Sequence, residues 1–293
     1  MNTNKEVNGH LYAAVTILIW GTAFISTKLL LKTFSPIEIL FLRFVIGFLV
    51  LFVVFPHRFK IKERKQELYF AAAGLCGITL YYLLENIALT YTYASNVGII
   101  ISAAPFFTAI LAHLFLDGER LKLRFFVGFV VALAGISLIS YNGYNTFQLN
   151  PFGDVLAVLA AIVWAIYSIL TKKISSFQYN TIQTTRRIFL YGLIFMIPAL
   201  LLFGFQPKIS MLNQPVNLFN ILFLGFGASA LCFVTWNSAV KILGAVKTSI
   251  YIYMVPVITV VTSILVLKES ITGITVIGII LTLVGLFVSV KRG

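Results

Sequence analysis

The chain has 293 residues, of which 60% are hydrophobic and 11% are charged. A soluble domain with so little charge could not cover its surface with polar groups, so the composition excludes a soluble globular protein. The net charge of +13 does not indicate nucleic-acid binding, because Lys and Arg lie in short loops between apolar segments rather than on one amphipathic face. The composition therefore predicts a polytopic α-helical membrane protein.

Apolar segments recur along the whole chain, each close to the ~20 residues that a helix needs to cross a bilayer core of about 30 Å. Polar breaks separate them, and many contain Pro, Gly or Asn. The pattern predicts ten membrane helices, at residues 10–31, 36–55, 67–90, 94–116, 124–141, 152–172, 182–204, 217–239, 245–267 and 271–290. We expect the first to be retained, because no small-residue cleavage site of a signal peptide follows it.

The loop cations are divided unequally between the two sides of the membrane. If the N-terminus is cytoplasmic, 15 loop Lys and Arg residues lie on the cytoplasmic side and four lie on the other side. Positively charged loops are retained in the cytoplasm, so this bias predicts that both termini are cytoplasmic. We therefore expect a multi-pass protein of the plasma membrane, of bacterial type.

The two halves of the chain share a sequence pattern. Four residues of the first half recur at a constant offset of 151, as the pairs Asn86 and Asn237, Ala88 and Ala239, Ala94 and Ala245, and Pro105 and Pro256. Each half holds five helices, and an odd number makes the second half enter the membrane from the opposite face. We predict an all-α membrane fold of two inverted repeats, residues 1–148 and 149–293, around a central cavity. Inverted repeats are characteristic of secondary transporters, which bind substrate where the halves meet.

Several short motifs carry a resemblance to a known family. They are Trp20-Gly21 with Lys28, Ser35-Pro36 followed by Arg43-Phe44, Asn86-x-Ala88-Leu89, Ala94-Ser95 with Pro105, and Glu119-Arg120-Leu121 with Gly128 and Gly135. In these motifs, and over nearly its whole length, the chain resembles the EamA family of the drug/metabolite transporter superfamily. The resemblance implies ten helices in two inverted bundles and export of small metabolites, amino acids among them. The second half departs from the pattern, because Trp236 occupies the position that matches Glu85 and no Arg follows Lys268-Glu269.

Glu85 is the strongest candidate for a functional residue, because it places a carboxylate inside an apolar segment. A charge within a membrane span is costly and normally faces a cavity or a partner. Tyr81 and Tyr82 precede it by about one helical turn and Asn86 follows it, so the same helix offers hydroxyl and amide groups. We predict that Glu85 binds a substrate ammonium group or exchanges a proton. The alternative is a structural carboxylate that pairs with an arginine or lies at the headgroup boundary.

Four aromatic residues lie inside predicted helices or near their midpoints, whereas interfacial aromatics are usually found near helix ends. They are Trp20, Trp164, Tyr167 and Trp236. We predict that their rings line a cavity and bind a substrate cation through their faces, with plain packing as the alternative. Asn237, which follows Trp236 and matches Asn86 in the repeat, joins this predicted lining.

Arg43 and Arg187 are related by the repeat, at an offset of 144. A guanidinium group can bind a substrate carboxylate with two parallel hydrogen bonds, or it can hold helices together by bonding backbone carbonyls. Glu38 precedes Arg43 by about one helical turn and is a candidate for a structural ion pair with it.

Pro105 and Pro256 fall at matching positions inside apolar segments. Proline bends a helix and frees a carbonyl, so we predict a kink or a gate at both positions. Two series of small residues, Gly128–Ala132–Gly135 and Gly278–Thr282–Gly285, predict close helix packing, either within the chain or in a homodimer.

Three functions are consistent with these residues. The first is a secondary transporter that exports an amino acid or a related zwitterion by alternating access, with protons as a candidate coupling ion. The second is an exporter of lipophilic or aromatic cations or drugs, since a zwitterion also needs a carboxylate receptor such as Arg43 or Arg187. The third is a membrane-embedded enzyme for lipid-linked substrates, which the lack of a catalytic constellation makes the least favoured.

No sequence motif indicates a cofactor, a metal or a catalytic residue. The chain has no G-x-x-x-x-G-K-[ST] and no H-E-x-x-H sequence. We therefore expect neither enzyme activity nor a cofactor. The expected partners are a small-molecule substrate and the lipid bilayer, without nucleic acid, and the expected assembly is a monomer or a homodimer.

Overall fold

The computed structural model describes residues 3–91, 94–117, 123–141, 150–206, 209–267 and 272–290. These residues form ten helices, four of which contain irregular turns. They are α1 (Thr3–Leu30), α2 (Pro36–Val54), α3 (Arg64–Tyr91), α4 (Ala94–Phe115), α5 (Leu123–Tyr141), α6 (Pro151–Ser176), α7 (Thr181–Leu202), α8 (Pro215–Leu243), α9 (Ala245–Leu267) and α10 (Gly273–Val290). A short 3-10 helix, Ile209–Asn213, precedes α8. The ten-helix prediction is confirmed, although α1 begins before residue 10 because polar residues continue it beyond its apolar segment.

Eight helices of the described chain are long and apolar enough to cross a membrane. The other two, α5 and α10, carry shorter apolar stretches, Leu123–Ile139 and Gly273–Ser289. Large apolar side chains are exposed on the outside of the bundle, among them Val53, Leu123 and Leu202. Such a surface would be costly in water, whereas in a bilayer it contacts the acyl chains.

The two five-helix repeats interlock. The first two helices of each repeat pack on the third and fourth helices of the other repeat. In the first repeat, α1 packs along α8 and α9 and α2 packs along α8. In the second repeat, α6 packs along α3 and α4 and α7 packs along α3. The hydrophobic core therefore lies between the repeats, where Phe44, Phe189 and Phe233 are fully buried.

α3 and α8 each contain a π-helical segment, Leu75–Leu80 and Phe223–Leu231. The two segments occupy related positions, because the repeat offset of 151 carries residues 75–80 onto residues 226–231. A π segment changes the direction of the side chains that follow it, and such segments often accompany functional sites. In α3 the π segment leads directly to Tyr81.

α4 and α9 are interrupted near the repeat-related prolines. α4 consists of Ala94–Ile101 and Ala104–Phe115, with Pro105 at the start of its second part. α9 has a 3-10 turn over Ile250–Tyr253, and Pro256 lies just after this turn. Proline offers no N–H and clashes with the preceding turn, which accounts for both interruptions. The role of these positions as a gate stays a prediction.

α4 and α9 converge at one end of the bundle. We call this end the N-face, because α1 begins there. At the N-face, Ala104–Phe115 of α4 packs on Ala245–Ser249 of α9. Towards the opposite face, Ala94–Ile101 packs on α5 and α6, whereas Met254–Leu267 packs on α1, α5 and α10. The centre of the molecule is therefore closed at the N-face, and α4 and α9 diverge towards the opposite face.

The small-residue series of α5 and α10 pack against each other within one chain. A Cβ atom added at Gly135 would lie 2.6 Å from Gly278 O, and one added at Gly285 would lie 2.3 Å from Ala132 N. Of the two alternatives for these faces, the structure shows packing within the chain. Each of these faces is therefore buried against the other within the chain.

Candidate functional site

A cluster of aromatic rings fills the centre of the bundle, and four helices contribute to it. The ring centroid of Trp20 on α1 lies 5.5 Å from that of Trp164 on α6 and 5.2 Å from that of Trp236 on α8. Trp164 in turn lies 4.9 Å from Tyr81 on α3 and 5.1 Å from Tyr167. The structure thus brings all four predicted mid-helix aromatic residues together with Tyr81.

The three indole groups differ in their hydrogen bonding. Trp20 Nε1 donates to Ala228 O, a carbonyl of the π segment in α8, at 2.9 Å. Trp164 Nε1 and Trp236 Nε1 are buried and have no acceptor among the described residues. Trp236 and Tyr167 are fully buried, so both pack within the cluster instead of lining accessible space.

Arg43 of α2 projects into the bundle beside this cluster. Its Nε donates to Ser229 Oγ at 2.9 Å. Its Cζ lies 5.4 Å from the ring centroids of both Phe44 and Tyr82. Rings at this distance attract a guanidinium group through their faces. Arg43 is therefore held jointly by α2, α3 and α8.

Glu85 lies on α3, less than two helical turns before Tyr91, where that helix ends. Its side chain is half-buried in the bundle. Tyr82 precedes Glu85 by about one helical turn, and the centroid of the Tyr82 ring lies 5.4 Å from Cζ of Arg43. In the described part of the chain, Glu85 and Arg43 do not form an ion pair with each other.

The protein satisfies the two charged groups only in part, although Arg43 is just 8% exposed and Glu85 is half-buried. Within the described residues, fully buried side-chain N and O atoms without a hydrogen-bond partner occur only in Trp164, Trp236, Tyr253 and Ser289. The Glu85 oxygens and the Arg43 Nη atoms also have no hydrogen-bond partner there. Two opposite charges without an ion-pair partner among the described residues thus lie on helices that meet at Tyr82.

Asn237 joins three helices through buried hydrogen bonds. Tyr167 OH of α6 donates to Asn237 Oδ1 at 2.9 Å, and Asn237 Nδ2 donates to Thr185 Oγ1 of α7 at 3.0 Å. Asn237 therefore ties α8 to its neighbours and does not meet Glu85. Its repeat partner Asn86 is half-buried directly beside Glu85 on α3.

Arg187 lies away from this centre. It pairs with Glu67 of α3 at 2.6 Å, and Tyr191 OH donates to the same carboxylate. Its neighbour Arg186 donates to Phe55 O at 2.6 Å, just beyond the last residue of α2. These contacts hold α7 to α3 and α2, so Arg187 forms a structural ion pair.

The predicted pairing of Glu38 with Arg43 is not found. Glu38 Oε2 instead accepts a hydrogen bond from Ser35 N at 2.8 Å. The N–H groups at a helix start lack intrahelical acceptors, so a carboxylate in the first turn binds one of them. Arg43, one turn further on, turns to Ser229.

Ser229 is a site residue that the sequence reasoning missed. It belongs to the other repeat, so no local pattern connects it with Arg43. The available signal is weak: a hydroxyl within an apolar span needs a hydrogen-bond partner, and helix interfaces in membranes supply one.

Comparison with protein families gives two matches along the chain. The sequence model of the EamA-like transporter family matches residues 7–141 and residues 151–291. The chain belongs to the EamA-like transporter family. The first match covers α1 to α5 of this EamA-like protein, and the second covers α6 to α10.

Curated relatives of this EamA-like protein are named as transporters. An "Uncharacterized transporter" of Archaeoglobus fulgidus is 31% identical over 97% of both chains. The "Probable terminal-alkyne amino-acid exporter" of Streptantibioticus cattleyicolor is 25% identical, over 95% of this chain and 92% of its own. The "Probable amino-acid metabolite efflux pump" of Escherichia coli is 24% identical, over 95% and 93% of the two chains.

A solved crystal structure shares the fold of this EamA-like protein, with a TM-score of 0.78. It is 21% identical and covers 96% of this chain and 95% of its own. The family match, the relatives and the ten apolar helices together identify the chain as a multi-pass membrane transporter.

Proposed function

We propose that this EamA-like transporter exports a small zwitterion, an amino acid or a close chemical relative, by alternating access. The observation that carries the proposal is the pair of opposite charges on Glu85 and Arg43, which have no ion-pair partner among the described residues and lie on two helices that meet at Tyr82. An ammonium group would bind the Glu85 carboxylate, and a carboxylate would bind the Nη groups of Arg43.

The energetics favour a ligand that carries both charges. An uncompensated charge inside a membrane protein is costly, and a zwitterion that bridges Glu85 and Arg43 would compensate both at once. Hydrogen bonds to charged groups contribute about 1.5–3 kcal/mol each. Removing the charge of Glu85 or that of Arg43 should therefore weaken binding of the zwitterion by about ten- to a hundredfold.

The surroundings of Glu85 support a substrate with an apolar side chain. Tyr81 precedes Glu85 by about one helical turn on α3, and its ring centroid lies 4.9 Å from that of Trp164 on α6. The two rings form an aromatic surface beside Glu85. The names of two relatives, an amino-acid exporter and an amino-acid metabolite efflux pump, support the same substrate class.

A lipophilic cation is the second candidate substrate, and the tyrosines before Glu85 favour it. Tyr81 and Tyr82 lie with their ring centroids 4.9 Å apart, and aromatic faces beside a carboxylate attract organic cations. Such a substrate would gain nothing from Arg43, whose positive charge would oppose its binding. The two candidates therefore predict opposite effects of removing the Arg43 charge.

We further propose that the N-face is cytoplasmic and that the protein lies in the plasma membrane. The excess of Lys and Arg at the N-face supports this orientation, and five of these cations fall in the connection between α2 and α3, at residues 58–65. A proton is the proposed coupling ion, and Glu85 is the group that would exchange it.

The function is tested by binding and flux measurements on purified protein. The twenty standard L-amino acids are screened by thermal stabilisation, because a ligand that binds the folded state raises its melting temperature. Each hit is then measured by counterflow of the labelled amino acid in proteoliposomes. We expect at least one hit to be transported, and we expect Glu85→Gln and Arg43→Gln each to weaken its binding by about tenfold or more.

Arg187→Gln is the matched control, because it removes the repeat-related arginine, which pairs with Glu67 away from the centre. It should lower stability and leave substrate affinity unchanged. Tetraphenylphosphonium is the probe for the second candidate. If it binds, if Arg43→Gln strengthens that binding and if no amino acid binds, the protein is a cation exporter.

A further inference from the structure

Ser229 holds the arginine that the proposed substrate carboxylate needs. Its hydroxyl oxygen accepts the hydrogen bond from Arg43 Nε at 2.9 Å, and the serine is fully buried. Nε is the one guanidinium nitrogen of Arg43 that bonds to a described residue. The contact thus occupies one edge of the guanidinium group, and neither Nη atom has a hydrogen-bond partner in the described part of the chain.

Close packing of two helices sets the position of Ser229. It lies in the π segment Phe223–Leu231 of α8. A Cβ atom added at Gly47 of α2 would lie 3.2 Å from Ser229 Cβ, and one added at Gly225 would lie 2.4 Å from Ile46 Cγ2 of α2. The glycines let α2 and α8 approach at this point, so the hydroxyl is held directly beside Arg43.

The Ser229 contact also decides which way the guanidinium group points. Phe44 and Tyr82 attract it through their ring faces, and such contacts fix direction less strictly than a hydrogen bond does. Without Ser229, the guanidinium group could turn towards Glu85, which lies one helical turn beyond Tyr82, the ring that Arg43 already contacts. An ion pair between the two would satisfy both charges within the protein, and a zwitterion would then have to break it to bind.

We propose that Ser229 is a positioning residue for substrate recognition. It keeps Arg43 apart from Glu85, so that the two charges stay free to receive the carboxylate and the ammonium group of a zwitterion. This inference rests on the proposed function and deepens it. Selection for a carboxylate depends on a contact between the repeats, with Arg43 in the first and Ser229 in the second.

The test compares an amino acid with its methyl ester, which keeps the ammonium group and the side chain but lacks the carboxylate. The probe is whichever of the twenty L-amino acids stabilises the wild-type protein most, and Kd is measured by calorimetry. We expect Ser229→Ala to weaken binding of the amino acid about tenfold and to change binding of the ester by less than about twofold. General damage to the site would weaken both ligands alike.

Two further variants make the test specific. Ser229→Cys nearly preserves the volume of the side chain and offers only a weak acceptor, so it should show the same selective loss even if Ser229→Ala folds poorly. Ser238→Ala is the matched control, because Ser238 lies on the same helix and its hydroxyl donates to Val234 O within that helix at 2.7 Å. It should leave both affinities unchanged.

The outcomes separate this inference from the proposed function. If Ser229→Ala weakens the acid and the ester equally, or weakens neither while Arg43→Gln weakens the acid, the positioning role is overturned and the proposed function stands. If the wild-type protein binds no amino acid, the proposed function fails, and this inference fails with it.

Discussion

Two arginines at matching positions of the repeats have different partners. Arg43 donates to Ser229 in the centre of the bundle, whereas Arg187 pairs with Glu67 between α3 and α7. The difference arises from the helix that each arginine meets: α8 offers a hydroxyl to one, and α3 offers a carboxylate to the other. The repeat therefore predicts where a cation lies in the fold, and the facing helix decides what the cation does.

At the scale of single residues, we predict that the ion pair between Arg187 and Glu67 stabilises the fold by a small amount. Arg187→Gln and Glu67→Gln should each lower the free energy of unfolding, because each leaves one charge without its partner. The two side chains are 33% and 26% exposed, so solvent screens the pair and the coupling energy should be about 1 kcal/mol. A double-mutant cycle measured by thermal unfolding in detergent gives this energy. Strictly additive effects would show that the pair contributes nothing.

At the scale of the element, the apolar segments predicted the ten helices because the bilayer sets their length. The start of α1 was missed, since a helix can continue into water beyond its apolar segment. The π segments of α3 and α8 were missed as well, because hydrophobic periodicity does not distinguish them from α-helix within a uniformly apolar run.

The candidate site was also predictable from the sequence only in part. Glu85 and the mid-helix aromatic residues could be found from the sequence, because polar and aromatic side chains stand out inside apolar segments. The contact of Arg43 with Ser229, and the separation of Arg43 from Glu85, depend on how two distant helices approach each other. No spacing along the chain carries that information.

We predict that contact between α5 and α10 depends on their glycines. Gly285→Ala would place a methyl group 2.3 Å from Ala132 N, a backbone atom that cannot turn aside. The helices must then move apart, and we expect a loss of about 1–3 kcal/mol in unfolding free energy. Gly98→Ala is the control, because a Cβ atom there meets nothing within 4 Å. It should be neutral or stabilising by about 0.5–1 kcal/mol, since Ala is favoured over Gly within a helix. Equal melting temperatures for the two variants would contradict the packing argument.

At the scale of the whole molecule, the structure is closed at the N-face. The segment Ala245–Ser249 of α9 packs on Ala104–Phe115 of α4. Two polar contacts also fasten α9 to α1. His10 Nδ1 and Tyr251 OH lie 2.7 Å apart, and Lys247 Nζ lies 3.5 Å from Glu6 Oε1. We call these two contacts the N-face link. A transporter that alternates access must open this end during its cycle.

We predict that the central site is reached from the opposite face in the resting protein. Asn86→Cys beside Glu85, in a chain whose Cys76 and Cys232 are replaced by Ala, provides a reporter thiol. A membrane-impermeant thiol reagent should label it from the opposite face in proteoliposomes of known orientation, and a transported amino acid should slow the labelling. Faster labelling from the N-face would reverse the assignment of the closed end.

The N-face link should set how often the closed end opens. Tyr251→Phe removes the hydroxyl that meets His10, and Lys247→Gln removes the charge that meets Glu6. Lys247 is 42% exposed, so its ion pair is weak, and we expect the two contacts together to stabilise the closed end by about 1–2 kcal/mol. The double variant should therefore raise labelling of the Asn86→Cys thiol from the N-face by about five- to thirtyfold. Lys65→Gln, which removes an exposed N-face cation at the start of α3, is the control and should leave labelling unchanged. If the double variant labels as slowly as the control, closure depends on the apolar packing of α4 on α9, and the N-face link does not contribute to it.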